Sequence, residues 1–165
     1  MNGSPFAGRV VLVTGGAASL GRAIALDLAG RGAAVAIADR DAGGARRVAG
    51  EIAGGGGTAA GFEANVLEAV SLEGMVAAVI GRFGRIDVLV NNAGMLGPIG
   101  PLWETTDADV QRVFDLNVRA VFSCTRLVAK HMMERRSGAI VTIASIAGKE
   151  GPKNISIYAG AKAAV

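Results

Sequence analysis

The chain has 165 residues, 51% of them hydrophobic and 19% charged, enough for one domain with a sizeable core and too apolar for intrinsic disorder. Its formal net charge is +3, yet the 17 Lys and Arg are scattered, the densest groups being the pairs Arg46-Arg47 and Arg135-Arg136. Aromatic residues make up 4%, too few for a base-stacking surface, so the basic balance reads as solvated surface and no nucleic-acid partner is expected. Cys124 is the only cysteine, which excludes an internal disulfide, and its neighbours Val121, Phe122 and Val128 mark it as a buried, inert thiol on a helix. His131 is the only histidine, so a His-based metal cluster is excluded and no metal is expected. The first apolar run, "VVLVT", is too short for an export signal or a membrane span, and the chain reads as a soluble, cytoplasmic protein.

In chain order, short apolar runs alternate with longer segments of helical period. "RVVLVT" (9–14) reads as a strand and is followed by a helix over 20–30 with Leu20, Ile24 and Leu28 on one face. "AVAIAD" (34–39) is a second strand, then a helix over 41–53 and a flexible "GGGG" connection. "TAAGFE" (58–63), a helix over 67–82, "IDVLVNN" (86–92), a long helix over 107–135, "GAIVTIAS" (138–145) and a last helix from 157 complete the series. Strand runs that are apolar throughout belong to a parallel sheet covered on both faces. Five such repeats with right-handed crossovers predict an α/β fold, a doubly wound, Rossmann-like parallel sheet of order 3-2-1-4-5 in a single domain over 1–165.

"VVLVTGGAASLGRAIALDL" is a strand, a Gly-rich turn and a helix, the arrangement that presents backbone N–H groups and a helix dipole to a pyrophosphate. Gly15 permits the tight turn and Gly21 a close approach of helix to sheet. The second strand ends in Asp39, eighteen residues beyond Gly21, where an acid accepts hydrogen bonds from an adenosine ribose and repels a 2′-phosphate. NAD is therefore expected over NADP. Two alternatives stand beside this reading: Arg40 could pair with that phosphate, and Asp39 could simply cap the next helix.

On the long helix, Val110, Phe114, Val121 and Val128 fall on one stripe with Asn117 in its middle. A core-facing amide costs about 1–3 kcal/mol unless hydrogen-bonded. Asn117 is thus either satisfied by backbone or part of a site.

"TGGAASLG" (14–21), "NNAG" (91–94), Asn117 in "DLNV", Ser145 in "TIAS" and "YAGAK" (158–162) together resemble the short-chain dehydrogenase/reductase family, over essentially the whole chain. Ser145 stands thirteen residues before Tyr158, a spacing usual in that family. The resemblance implies an NAD(P)-dependent oxidoreductase that interconverts a secondary alcohol and a ketone. Tyr158 would exchange a proton with the substrate oxygen, and Lys162, one helical turn away, would lower its pKa and hold the nicotinamide ribose. Ser145 would hydrogen-bond the substrate oxygen, and Asn117 would position a water linking Lys162 to solvent. Gly15, Ser19, Leu20, Gly21, Asp39, Arg40, Asn65, Val66, Asn91, Ala93 and Gly94, with Tyr158 and Lys162, are the expected cofactor contacts.

Two residues depart from the family pattern. Ser19 replaces a usual glycine and could crowd the pyrophosphate or add a hydrogen bond to it. Asn65 stands where an aspartate normally contacts adenine. Members also continue well past Val165, so the chain is expected to be a C-terminally truncated, N-terminal two-thirds portion. In that state its fifth strand would lie unpaired at the sheet edge, and the alternative function is a nucleotide-binding fragment without turnover. "AGKEGPKNISIY" is similar to some sugar-acid and 3-oxoacyl reductases. No membrane partner is expected, and a full-length form would assemble as a homodimer or homotetramer through the helices over 107–135 and after 157.

Overall fold

The computed structural model describes residues 4–165. Five parallel strands, β1 (Val10–Thr14), β2 (Ala34–Asp39), β3 (Thr58–Glu63), β4 (Val88–Asn91) and β5 (Ala139–Thr142), form one sheet in the order β3-β2-β1-β4-β5. That is the expected order. The helices are α1 (Ser19–Gly30), α2 (Ala42–Gly54), α3 (Ala69–Phe83), α4 (Asp107–Phe114), α5 (Ala120–Glu134), the single turn α6 (Ala147–Glu150) and α7 (Ser156–Ala163).

Side chains alternate across a strand, and here both faces are covered. On one face Val11, Val13, Val35, Ile37 and Val90 pack against Ala25 and Ala29 of α1 and Ala45, Val48 and Ile52 of α2. On the other, Leu12, Ala36 and Leu89 meet Leu72, Met75 and Val79 of α3 and Cys124, Val128 and Met132 of α5. Central β1 therefore has no polar side of its own, which is why its sequence does not alternate. The edges differ: Ala139, Ile140 and Val141 of β5 are exposed, and β3 is only partly covered.

Two helix faces depart from the expected ones. On α1 the buried residues are Gly21, Ala25 and Ala29, one position along from the leucine stripe, and Leu20 is 53% exposed. A Cβ at Gly21 would overlap the Gly15 carbonyl oxygen, so this helix lies too close to the loop for anything but small residues on its inner face. The long helix is not continuous. It widens into a π turn over Asp115–Arg119, which offsets the register between α4 and α5. The buried series becomes Val113, Asn117, Ala120, Cys124, Val128 and Met132, while Val110 turns outward.

At the N-terminal end of the sheet, Asp87 is almost fully buried. It accepts the Val10 N–H at 2.8 Å and is paired with Arg85 and, at 3.1 Å, Arg135. Burial pushes its carboxyl up, but Arg85, the Val10 N–H and Arg135 outweigh that and hold it below the usual carboxylate range. Nothing in the sequence pattern singled it out.

Candidate functional site

The C-terminal ends of the strands carry the Gly-rich turn. Thr14 closes β1 and its Oγ1 accepts the N–H groups of Asn92 at 3.1 Å and Ala93 at 3.2 Å. In return the Asn92 amide donates to the carbonyls of Thr14 and Gly15, both at 3.0 Å. The turn after β1 and the turn after β4 are thereby locked together. Gly15 takes φ +64°, and a Cβ there would lie 2.9 Å from the Ala93 Cα, so the approach requires glycine.

Beside these turns lies a cleft of about 450 Å³, within the range of small-molecule sites. Gly15, Ser19, Leu20, Gly21, Asp39, Arg40, Asn65, Val66, Ala93 and Gly94 all line it. Leu20 is exposed because it faces this space and not the core. Asp39 is held by two backbone donors, Ala17 N–H and Asp41 N–H, each at 3.0 Å. It does not cap α2. The N-cap is Asp41, whose carboxylate accepts the Gly44 N–H at 2.9 Å. Asn65 accepts the Leu67 N–H at 3.1 Å and donates to Glu68 at 2.6 Å, which fixes its amide at the cleft wall.

Asn91 lies elsewhere. It is 3% exposed, does not line the large cleft, and donates to the hydroxyls of Thr125 at 3.0 Å and Thr142 at 3.5 Å. It ties β4 to α5 and β5. Its neighbour Asn92, which lines both clefts, is a lining residue that sequence reasoning passed over. The doubled Asn at a strand end, with one member needed by the sheet and one by the loop, was the available signal.

A second cleft, about 210 Å³, shares Leu20, Asn92, Gly94 and Met95 with the first and adds Asn117, Tyr158 and Lys162. Tyr158 and Lys162 sit one turn apart on α7. Lys162 is 7% exposed, its ammonium donates to the Ile143 carbonyl at 2.6 Å, and burial lowers its pKa. Asn117 is fully buried at the π turn. Its Oδ1 accepts the Met95 N–H at 3.2 Å, and its Nδ2 donates to the carbonyls of Met95 at 2.9 Å and Val113 at 3.0 Å. A Cβ at Gly94 would come within 2.6 Å of that Oδ1. Ser145 lies three residues past β5 and lines neither cleft. Its Oγ accepts the Ala147 N–H at 3.2 Å at the start of α6. Among the described residues, no group of three or more His, Cys, Asp or Glu could hold a metal, and no helix is long and apolar enough to cross a membrane.

The sheet order, the glycine turn and the cleft at the strand ends define a Rossmann-type α/β protein. More narrowly, the chain belongs to the short chain dehydrogenase family, whose model matches residues 9–165. It is 36% identical over 160 residues to 2-dehydro-3-deoxy-L-rhamnonate dehydrogenase (NAD(+)) of Sphingomonas sp. (strain SKA58), covering 97% of this chain and 63% of that protein. It is 41% identical to (2S)-[(R)-hydroxy(phenyl)methyl]succinyl-CoA dehydrogenase subunit BbsD of Thauera aromatica, covering 95% and 62%. Among solved structures, NAD+-bound xylitol dehydrogenase superposes with a TM-score of 0.94 at 34% identity, over 97% of this chain and 62% of that one. The chain thus spans a little over three-fifths of the length of these relatives.

Proposed function

We propose that this chain carries the cofactor-binding and proton-transfer parts of an NAD(P)-dependent oxidoreductase that interconverts a secondary alcohol and a ketone. The observation that carries the reading is the continuity of the two clefts. A Gly-rich turn at one end runs through Gly94 to Tyr158 and a buried Lys162 at the other.

The glycine cradle fits a dinucleotide. Glycine at 15, 21 and 94 lets the loop backbone pack tightly against Ala93, the Gly15 carbonyl and Asn117 beside the cleft, and α1 begins at that loop with its N-terminus at the cleft. Asp39, already oriented by two N–H groups, is placed to accept from the adenosine ribose, which favours NAD. Bound there, the nicotinamide supplies the hydride acceptor or donor.

The chain's own residues handle the proton. In this reading Tyr158 exchanges the proton with the substrate oxygen, and the buried Lys162 stands one turn away on the same helix and lines the same cleft. Lys162 has one carbonyl partner in the structure, leaving further N–H donors for ribose hydroxyls. Ser145 accepts at Oγ from Ala147, so its own proton is available to a substrate oxygen. Asn117 holds Met95 and Gly94 in position beneath the site, with its amide committed to backbone.

A second reading, dinucleotide binding without turnover, is favoured by the size of the Tyr158 cleft. At about 210 Å³ it falls below the ordinary range for substrate pockets. Titration with NAD, followed by steady-state oxidation of a panel of secondary alcohols, separates the two. Under the enzyme reading, Tyr158→Phe lowers kcat by about 10²–10⁴-fold with NAD affinity retained. Turnover equal to that of the parent rejects that reading.

A further inference from the structure

The two clefts above lie at the C-terminal ends of the strands. Another, of about 250 Å³, opens at the opposite end of the sheet and is lined by Phe6, Arg9, Val88, Ser137 and Ala139 with the buried Asp87. The length of β1, about 13 Å, separates the two ends. Backbone hydrogen bonds build this cleft. The Arg9 N–H donates to the Phe6 carbonyl at 3.0 Å, and the Arg9 carbonyl accepts the Ala34 N–H at 2.9 Å. The Ser137 N–H donates to the Met132 carbonyl at 3.2 Å, and the Ala139 N–H to the Asp87 carbonyl at 2.9 Å.

Three guanidinium groups gather here on one carboxylate. Arg85 and Arg135 donate to Asp87 directly, and the Val10 N–H takes a further lone pair. Arg9 reaches the same carboxylate only at 3.9 Å, too long for a hydrogen bond, and its side chain is 52% exposed. Of the three arginines, Arg9 is the one that lines the cleft. The single negative charge of Asp87 is therefore shared among three cations, and the Arg9 donors are not spent on it. Around Arg9 the lining is mostly apolar, from Pro5, Phe6, Val88 and Ala139, with the exposed Ser137 adding a hydroxyl.

We infer that this cleft is a second binding site, for a small organic acid whose carboxylate is carried on a single ring or a short apolar chain. The flat guanidinium fork of Arg9 matches two carboxylate oxygens, and Ser137 offers one more donor. The apolar residues cover the body of the ligand. Inorganic phosphate has no such body and would leave those walls in water. The volume is below that of a drug-sized pocket, which suits a ligand of this size. The site stands apart from the dinucleotide cleft and does not rest on the function proposed above.

The probe is benzoate, with benzamide as its uncharged counterpart and inorganic phosphate as an anion without an apolar body. Calorimetry at fixed ionic strength gives affinities, and amide shifts of the 15N-labelled chain give the location. Benzoate is expected to shift the Ser137, Gly138 and Ala139 amides, and to bind about tenfold more tightly than benzamide or phosphate. Arg9→Gln should weaken benzoate about tenfold at an unchanged unfolding midpoint, and Arg9→Lys should restore only part of the loss. Saturating NAD should leave benzoate affinity as it was. Arg9→Gln binding benzoate within twofold of the unchanged chain overturns the proposal, as does benzamide binding equally well. Competition with NAD, or shifts confined to Asn92–Met95, places the acid in the other clefts and also overturns it. Phosphate binding more tightly than benzoate rejects the ligand class, and no saturable shift at millimolar benzoate rejects the site.

Discussion

Asn117 and Met95 exchange two hydrogen bonds, the side-chain oxygen accepting the Met95 N–H at 3.2 Å and the amide donating to the Met95 carbonyl at 2.9 Å. An asparagine on the long helix thus acts as a short strand partner for the segment that follows β4. The same amide also satisfies the Val113 carbonyl at the π turn. Asn117→Ala removes the partner of three backbone groups at a fully buried side chain, and should cost about 1–3 kcal/mol. Urea unfolding measures this, and a variant as stable as the parent would show that the clamp carries no energy.

Asp39 bears on cofactor choice. Asp39→Asn keeps an oxygen for the loop N–H groups and removes the charge. We expect NAD to bind about tenfold more weakly, the scale of a charge-assisted hydrogen bond, while NADP gains relative to it. Parallel titrations of the two cofactors decide the matter, and tighter NADP than NAD in the unchanged chain rejects the assignment of Asp39.

Asp87 makes acid stability predictable in sign. Its folded pKa lies below the ordinary carboxylate value of about 3.9, so its contribution is fully present above that value. It is lost as pH falls through the lower, folded value. Asp87→Asn should cost about 1–2 kcal/mol at neutral pH, and the gap should close toward pH 2. A constant difference between the two proteins across that range contradicts the ion-pair account.

Lys162 gives the opposite limb. Burial lowers its folded pKa, so between that value and the unfolded value of about 10.4 the unfolded chain binds more protons. Stability contributed through this site therefore rises with pH in that window, and at neutral pH the buried charge is a cost. Lys162→Met removes the rise. Denaturant midpoints of both proteins from pH 8 to 10.5 provide the comparison, and parallel curves would mean that Lys162 is effectively solvated.

Much of this was legible in the sequence because it depends on local rules. Continuous apolar runs of Val, Ile and Ala gave the covered strands and their order, and glycine spacing gave the loop. The i, i+4 placement put Tyr158 and Lys162 on one helix face without reference to anything distant. The family resemblance supplied the other site candidates. What escaped was set by close approach between distant segments. Leu20 is an ideal core residue by period, yet Gly21 packing turns it toward the cleft. Asn91 and Asn92 are identical neighbours, and only the pleat of β4 decides which one serves the sheet and which the loop. The buried role of Asp87 depends on Arg135, which is 48 residues away and joins it only in the folded chain. Val110 was assigned to the buried stripe because an unbroken period of 3.6 cannot foresee a π turn.

The widened turn at Asp115–Arg119 joins two helical stretches that answer to different neighbours. Ahead of it, Val113 packs with Ile157 and Ala161 of the tyrosine-bearing α7, and behind it, Cys124, Val128 and Met132 pack on the sheet with α3. A π turn takes up one residue more than the α turn that spans the same gap. Loss of one residue here would let the helix close into regular α geometry and carry Asn117 out of its place opposite Met95. Substitutions at outward positions of the turn should be absorbed, whereas a single-codon deletion there should break that pairing and lower stability.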